Sequence, residues 1–239
     1  MVDDYTVIDL EMTGLSAKND RILEAGAVRV RGGAISETYS ALIYTALPLP
    51  EKITKLTGIT QEMAACGRDC DEVMQELIAF LGNDVIVGHN VVFDFSFIKQ
   101  WAQNHDQNFD CNAVDTLKLA QKFLSKGQKK NLGALCTHFH IPRRNAHRAL
   151  DDSLETQLLF EKMKIMYGQS EETMTAFTPQ PLFYKAKKQQ PATERQKEYL
   201  ARYALCFDLP LPKNLAAMTR SEASRQLDYW IGRYGKMPK

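Results

Sequence analysis

The sequence lacks any run approaching the roughly 18 consecutive apolar residues of a membrane-spanning helix. It also lacks an N-terminal stretch joining a basic start to an apolar segment, so no secretory leader is expected and the chain reads as soluble and cytoplasmic, with no membrane partner. Cysteine is scarce and odd in number, five in 239 residues. Cys66 and Cys70, in "CGRDC", have no second pair to complete four zinc ligands. Cys136, His138 and His140, in "LCTHFH", fall where a helix gives way to the next segment and read as packing groups, so no zinc is expected. Internal repeats and low-complexity tracts are absent as well.

What is present is an ordinary globular composition, 44% hydrophobic, long enough for one good-sized domain with an appendage. The net charge of +1 hides an asymmetry: residues 185–239 carry 12 Lys+Arg against 5 Asp+Glu, and residues 1–184 carry 18 against 24. An acidic body suits clustered metal-binding carboxylates, and a basic tail suits a polyanion, although charge runs are commonly only solvated faces.

Val7 to Leu10, Ile22 to Val30 and Ile35 to Ile43 read as strands, the last two joined by a tight turn at "RGG". Helical spacing follows over Asp71 to Leu81, then a short buried strand at Val85 to Val87, then helices over Phe93–Asn104, Asp115–Leu124, Leu132–Phe139 and Arg148–Met166. Strands first and then alternating strands and helices predict an α/β domain with a mixed sheet over residues 1–167. Residues 168–190 are polar, contain Pro179 and Pro181, and read as a linker. Residues 191–239 read as a small basic all-α module of two helices, with Thr193 and Thr219 as N-caps in "TERQ" and "TRSE".

Acids stand at unusual places in this pattern. "VIDLEMTGL" begins as an apolar strand yet carries Asp9 and Glu11, which share one face because strand side chains alternate. Two like charges side by side call for a shared cation or a retained proton, unless the strand ends at Leu10 and Glu11 is already solvated. Asp94, in "GHNVVFDFSFI", lies in the first turn of its helix, where the helix dipole favours an acid in any case. In "AHRALDDSLETQLLFEKM" a period of 3.6 residues puts Asp152 on the face of Ala149, Thr156, Leu159, Met163 and Met166. Asp151 falls on the opposite side with Glu155 and Lys162. His147, just before this helix, could reach the same place from a loop, or simply pack at the surface. Four carboxylates gathered on one face of the sheet would require divalent cations, and oxygen ligands favour Mg²⁺ or Mn²⁺.

These segments resemble the three motifs of the DEDDh family of 3′-to-5′ exonucleases, which includes the proofreading epsilon subunit of bacterial DNA polymerase III. "DLEMTGL" is similar to the first motif, "GHNVVFDFSFI" to the second and "HRALDD" to the third. "KLTGIT" and "NLGALCTHF" resemble intervening segments, and the likeness covers roughly residues 1 to 166. The resemblance implies a ribonuclease-H-like fold with a five-stranded mixed sheet flanked by helices. It implies two divalent cations, Mg²⁺ or Mn²⁺, with Asp9 bridging both, Glu11 and Asp152 completing the site of the attacking water, Asp94 binding through water, and His147 as general base. The products would be 5′-mononucleotides.

Carried over in the same way, Thr13 and Gly14 would contribute backbone groups to the terminal nucleotide, with Leu15 as an apolar wedge against its base. Asn90 and Phe93 would contact the last nucleotides, and Thr57 would border the cleft. Lys126, Lys129, Lys130, Arg143, Arg144 and Arg148 bracket the His147 segment and could hold phosphates, or form a solvated rim. The expected partner is nucleic acid, single-stranded DNA 3′ ends first, with a DNA polymerase as a further partner. "FTPQPLF" is similar to peptides that bind a sliding clamp. Two other readings stay open: an RNA exonuclease of the same family, and a non-catalytic nucleic-acid or polymerase-binding module.

Overall fold

The computed structural model describes residues 2–238 apart from Ala46 and Arg144. Strands β1 (Tyr5–Met12), β2 (Ile22–Arg31) and β3 (Ala34–Leu42) form an antiparallel meander. The β2–β3 turn is Gly32–Gly33, both at positive φ (55° and 77°), the conformation that matches the twist of a two-residue hairpin. Helices α1 (Glu51–Thr57), α2 (Gln61–Ala65) and α3 (Cys70–Leu81) follow. Next come β4 (Ile86–Gly88), α4 (Val92–Asn104), β5 (Asn112–Asp115), α5 (Thr116–Phe123), α6 (Leu132–His138) and α7 (Ala149–Tyr167). The chain continues through the one-turn α8 (Glu171–Met174) to β6 (Gln180–Pro181), and ends with α9 (Glu194–Cys206) and α10 (Arg220–Tyr234).

The strand order is β3-β2-β1-β4-β5-β6, with β1, β4 and β5 mutually parallel and the other pairings antiparallel. The mixed sheet flanked by helices is the expected class. It has six strands where five were expected, because Gln180 and Pro181 pair with the edge of β5. Residues 168–190, expected to be a linker, also bury Phe177 and Leu182, and the Lys187 carbonyl accepts from Gln100 Nε2 at 2.9 Å.

Each face of the sheet carries its own core, and β1 divides its side chains between them. Ile8, Leu10 and Met12 join Val73, Leu77, Phe95 and Ile98 under α3 and α4. Tyr5 and Val7 join Val28, Val30, Leu159, Phe160 and Met163 under α7. The period of two therefore carries Asp9 and Glu11 onto the α7 face, beyond Val7. On that face the strand changes from apolar to acidic along its own length.

The C-terminal helices match expectation closely. Thr193 and Thr219 each make a reciprocal capping box, and Leu200, Tyr203, Met218, Ala223 and Trp230 form a third small core.

Candidate active site

Three connections bring the acids of distant segments together. The first is Asp94, whose Oδ1 accepts the Leu10 backbone N–H at 2.9 Å. β1 and β4 pair at Thr6 and Val7, so this side chain takes the Leu10 amide beyond the end of the ladder. Asp115 holds the turn before α4 from the other side, accepting from Asn90 N–H and Leu117 N–H, each at 2.9 Å. The second connection is cross-strand register: Asp9 stands opposite Gly26, and Glu11 opposite Glu24. A Cβ on Gly26 would lie 2.2 Å from the Ala149 carbonyl carbon, so glycine alone lets the start of α7 lie against β2. Ser153 Oγ fixes that approach by donating to the Gly26 carbonyl at 3.1 Å. The third is Glu24 itself, which accepts from Arg148 Nε and Nη2 and from the Ala149 N–H at 3.1 Å.

The outcome is a constellation in which Glu11, His147 and Asp152 present ligand atoms all within 4.8 Å of one another. Glu11, Asp94 and Asp152 are buried. Burial pushes the Glu11 carboxyl up to about 8, reinforced by the charges of Asp152, Glu24 and Asp94 and opposed by Arg148. Asp94 rises to about 7, chiefly through burial, against the two backbone N–H groups that favour its ionised form. Asp9 is pushed well above the usual range by burial and by Asp94, Glu11, Asp152 and Glu24. Asp152 is raised by burial, with Arg143 pulling it back. Such a cluster holds more negative charge than its neighbours neutralise. A donor set of carboxylates with one imidazole at its edge fits hard divalent cations bound mainly by oxygen.

Two of the flanking basic residues, Arg143 and Arg148, are paired with acids. Arg143 is spent on acids: Nη2 lies 2.9 Å from Asp152 Oδ1 and Nε 2.7 Å from Glu155 Oε2. Arg148 is spent on Glu24. Both therefore act as internal counter-charges in this structure instead of standing free for phosphate. Lys130 donates to the carbonyls of Ser125 and Gln128, while Lys126 and Lys129 are exposed. Arg144 lies outside the described residues. Glu155, expected on the solvent side, is buried, because α6 covers α7 on a second flank. Met166, expected to face inward, is 56% exposed at the far end of the helix.

The loop after β1 is tied around Asp20, which the sequence did not single out. Asp20 Oδ2 accepts the Ser16 N–H at 2.8 Å, and its carboxylate fills the space a Cβ on Gly14 would need, 2.6 Å away. Thr13 accepts the Arg21 N–H at 2.9 Å on its hydroxyl. Leu15 is left at the tip, 84% exposed. Asn90 is exposed with φ of 66°, and Phe93 is half-buried, edge-on to Phe97. Thr57 is buried, its hydroxyl donating to the Ile53 carbonyl and accepting from Ile59, so it shapes the end of α1. A cavity of about 360 Å³ behind the loop, lined by Arg21, Trp101, His105, Gln189 and Glu222 among others, contains none of the expected site residues.

Comparison with known proteins gives the same direction. The family model RNase_T, described as an exonuclease, matches residues 6–160. DNA polymerase III subunit epsilon of Aquifex aeolicus is 36% identical over 160 residues, covering 66% of this chain and 79% of that protein. The PolC-type DNA polymerase III of Clostridium perfringens is 38% identical over 166 residues, which are 68% of this chain and only 12% of the polymerase. Among solved structures, exonuclease X in complex with 5′ overhanging duplex DNA is 25% identical with a TM-score of 0.55, covering 71% of this chain and 96% of that one. The nuclease domain of 3′hExo, a DEDDh family member bound to rAMP, shares the fold at 18% identity and a TM-score of 0.59, covering 70% and 93%. With the three acidic motifs in order on a mixed sheet, the chain belongs to the DEDDh family of 3′-to-5′ exonucleases.

Proposed function

We propose that the chain removes 5′-mononucleotides from the 3′ end of single-stranded DNA by metal-dependent hydrolysis, with Asp9, Glu11, Asp94 and Asp152 holding two divalent cations, Mg²⁺ or Mn²⁺. The observation that carries this reading is the convergence of Glu11, His147 and Asp152 beside two further acids, Asp9 and Asp94, whose carboxyls burial and neighbouring charges push upward. Bound cations supply the positive charge that stabilises the attacking and leaving oxygens of an in-line displacement at phosphorus.

The chain's own residues do the rest. Asp94 keeps β1 and the start of α4 in contact through the Leu10 amide. His147, whose ring nitrogen stands within 4.8 Å of both Glu11 and Asp152 oxygens, takes the proton of the attacking water. The exposed Leu15, on a loop stiffened by Asp20, wedges against the terminal base, and Asn90 and Phe93 face the last nucleotides.

DNA is favoured as substrate, and a polymerase as partner, because the relatives named above are DNA polymerase III proteins. The basic excess of residues 185–239 suits a second nucleic-acid contact. The test is degradation of matched 5′-labelled DNA and RNA oligonucleotides with Mn²⁺, comparing wild type with Asp9→Ala and His147→Ala. A ladder shortened from the 3′ end, faster on DNA and lost in both variants, is expected. Equal activity in wild type and Asp9→Ala would refute the metal assignment, and faster turnover of RNA would reassign the substrate.

A further inference from the structure

We infer that Glu24 and Arg148 are a positioning pair that sets the backbone of His147 for proton transfer; the inference rests on the reading of His147 as the base. Glu24 is 2% exposed in the middle of the sheet, and its carboxylate is fully engaged by one neighbouring segment. Arg148 Nη2 donates to Oε1 at 2.7 Å, Arg148 Nε lies 3.1–3.2 Å from both oxygens, and the Ala149 N–H donates to Oε2 at 3.1 Å. Arg148 is the N-cap residue of α7 and makes no capping bond with its own side chain. A carboxylate on another strand therefore takes over the work of a cap, accepting one of the helix's unpaired amides at its positive end.

The residue immediately before this cap is His147, at φ of 62°. That left-handed conformation is uncommon for a residue with a Cβ and persists only where its surroundings impose it. On one side the His147 amide lies 3.4 Å from Asp152 Oδ1, a long and weak contact. On the other side stand the Arg148 fork and the Ala149 amide, both anchored on Glu24. Gly26 and Ser153 hold the next turn of the helix against the same strand. Because Glu24 faces Glu11 across β1 and β2, the anchor that turns His147 lies beside the acid His147 must work with. Without it, the backbone at His147 can relax to negative φ and carry the imidazole away from Glu11 and Asp152, while both carboxylates stay in place.

The prediction is a defect in turnover rather than in binding. In the full-length protein with Mn²⁺ and a single-stranded oligodeoxynucleotide, Arg148→Ala lowers kcat by about 10- to 100-fold, the loss typical of a catalytic group displaced by an ångström. KM and the Mn²⁺ affinity measured by calorimetry stay unchanged. His147→Ala combined with Arg148→Ala is no slower than His147→Ala alone, since both remove the same event. Arg148→Lys, which keeps the charge without the fork, recovers part of the rate.

Arg148→Ala leaves Glu24 buried and uncompensated and could unfold the chain. The paired change Glu24→Gln with Arg148→Gln avoids that charge. It shows the same fall in kcat with the wild-type melting temperature, and faster amide hydrogen exchange at residues 147 and 149. A raised KM with kcat intact would make Arg148 a phosphate contact, and weakened Mn²⁺ binding would make the pair part of the metal site. Either result, or losses that multiply in the double variant, overturns the inference. A fully active His147→Ala would overturn the base itself, and a still-slow Arg148→Ala beside it would show that the pair acts elsewhere.

Discussion

Glu11→Gln should make the metal-free protein more stable at alkaline pH even as it removes a proposed metal ligand. The Glu11 carboxyl, ordinarily near 4.5, holds its proton up to about 8 in the folded chain. Between those values the folded state keeps a proton that the unfolded chain has released. Stability from this group is therefore fully present below the unfolded value and is lost as pH rises through the folded one. Each pH unit of that interval is worth about 1.4 kcal/mol, so at pH 7.5 keeping that proton from the solvent costs the fold about 4 kcal/mol at most relative to low pH. Relaxation of water and dipoles around the acids brings this toward about 2 kcal/mol. For a chain of this size that corresponds to about 4 to 8 °C in Tm. Urea unfolding in EDTA at pH 5, 6.5 and 8 measures it. Wild type should lose stability steadily across the series, and Glu11→Gln should lose less and be the more stable protein at pH 8. Adding Mn²⁺ should reverse the order, stabilising wild type increasingly as pH rises and the variant little. Parallel pH profiles for the two proteins, or a less stable variant at pH 8 in EDTA, would refute the account of uncompensated charge.

Two other substitutions probe how the site is assembled. Gly26→Ala places a methyl group 2.2 Å from the Ala149 backbone, so α7 must lift from β2. The expected cost is about 1–3 kcal/mol by denaturant titration, with a fall in kcat larger than the change in KM. Asp20→Ala releases the Ser16 amide and the packing beneath Gly14 at a part-exposed site. Global stability should fall by no more than about 1 kcal/mol, while KM for oligonucleotides rises, and an unchanged KM would free Leu15 of any role in gripping the end.

What could be read from the sequence follows the two periodicities. Asp9 and Glu11 share a face because a strand repeats every two residues, and Asp152 turns inward because a helix repeats every 3.6. The same arithmetic misplaced Glu155, since a helix packed against both a sheet and α6 buries more than one stripe. It misjudged Met166 because the last turn of α7 packs through Tyr167, stacked on Phe123, which leaves Met166 turned to solvent. Glu24, Gly26 and Asp20 escaped notice because their roles depend on what lies opposite them. Cross-strand register and loop closure are tertiary facts that no local pattern encodes. Arg143 and Arg148 looked like a cationic rim because sequence spacing cannot distinguish a guanidinium facing solvent from one folded back onto a buried acid. β5, only four residues long, and β6, two residues in a polar stretch with prolines, offer too short a pattern for alternation to register.

The first two acids stand on one strand, and that makes the polypeptide itself a ruler. Successive residues on one face of a strand are spaced by about 6.5–7 Å, a distance set by covalent geometry that no neighbouring side chain can adjust. Loops around the cleft can lengthen, shorten or change partners without altering this gauge. A single residue inserted or lost between Val7 and Asp9 is another matter, since it turns both carboxylates through the sheet into the apolar layer beneath α3 and α4. This part of the site tolerates no graded variation in length, and new specificity has to be found around its fixed spacing.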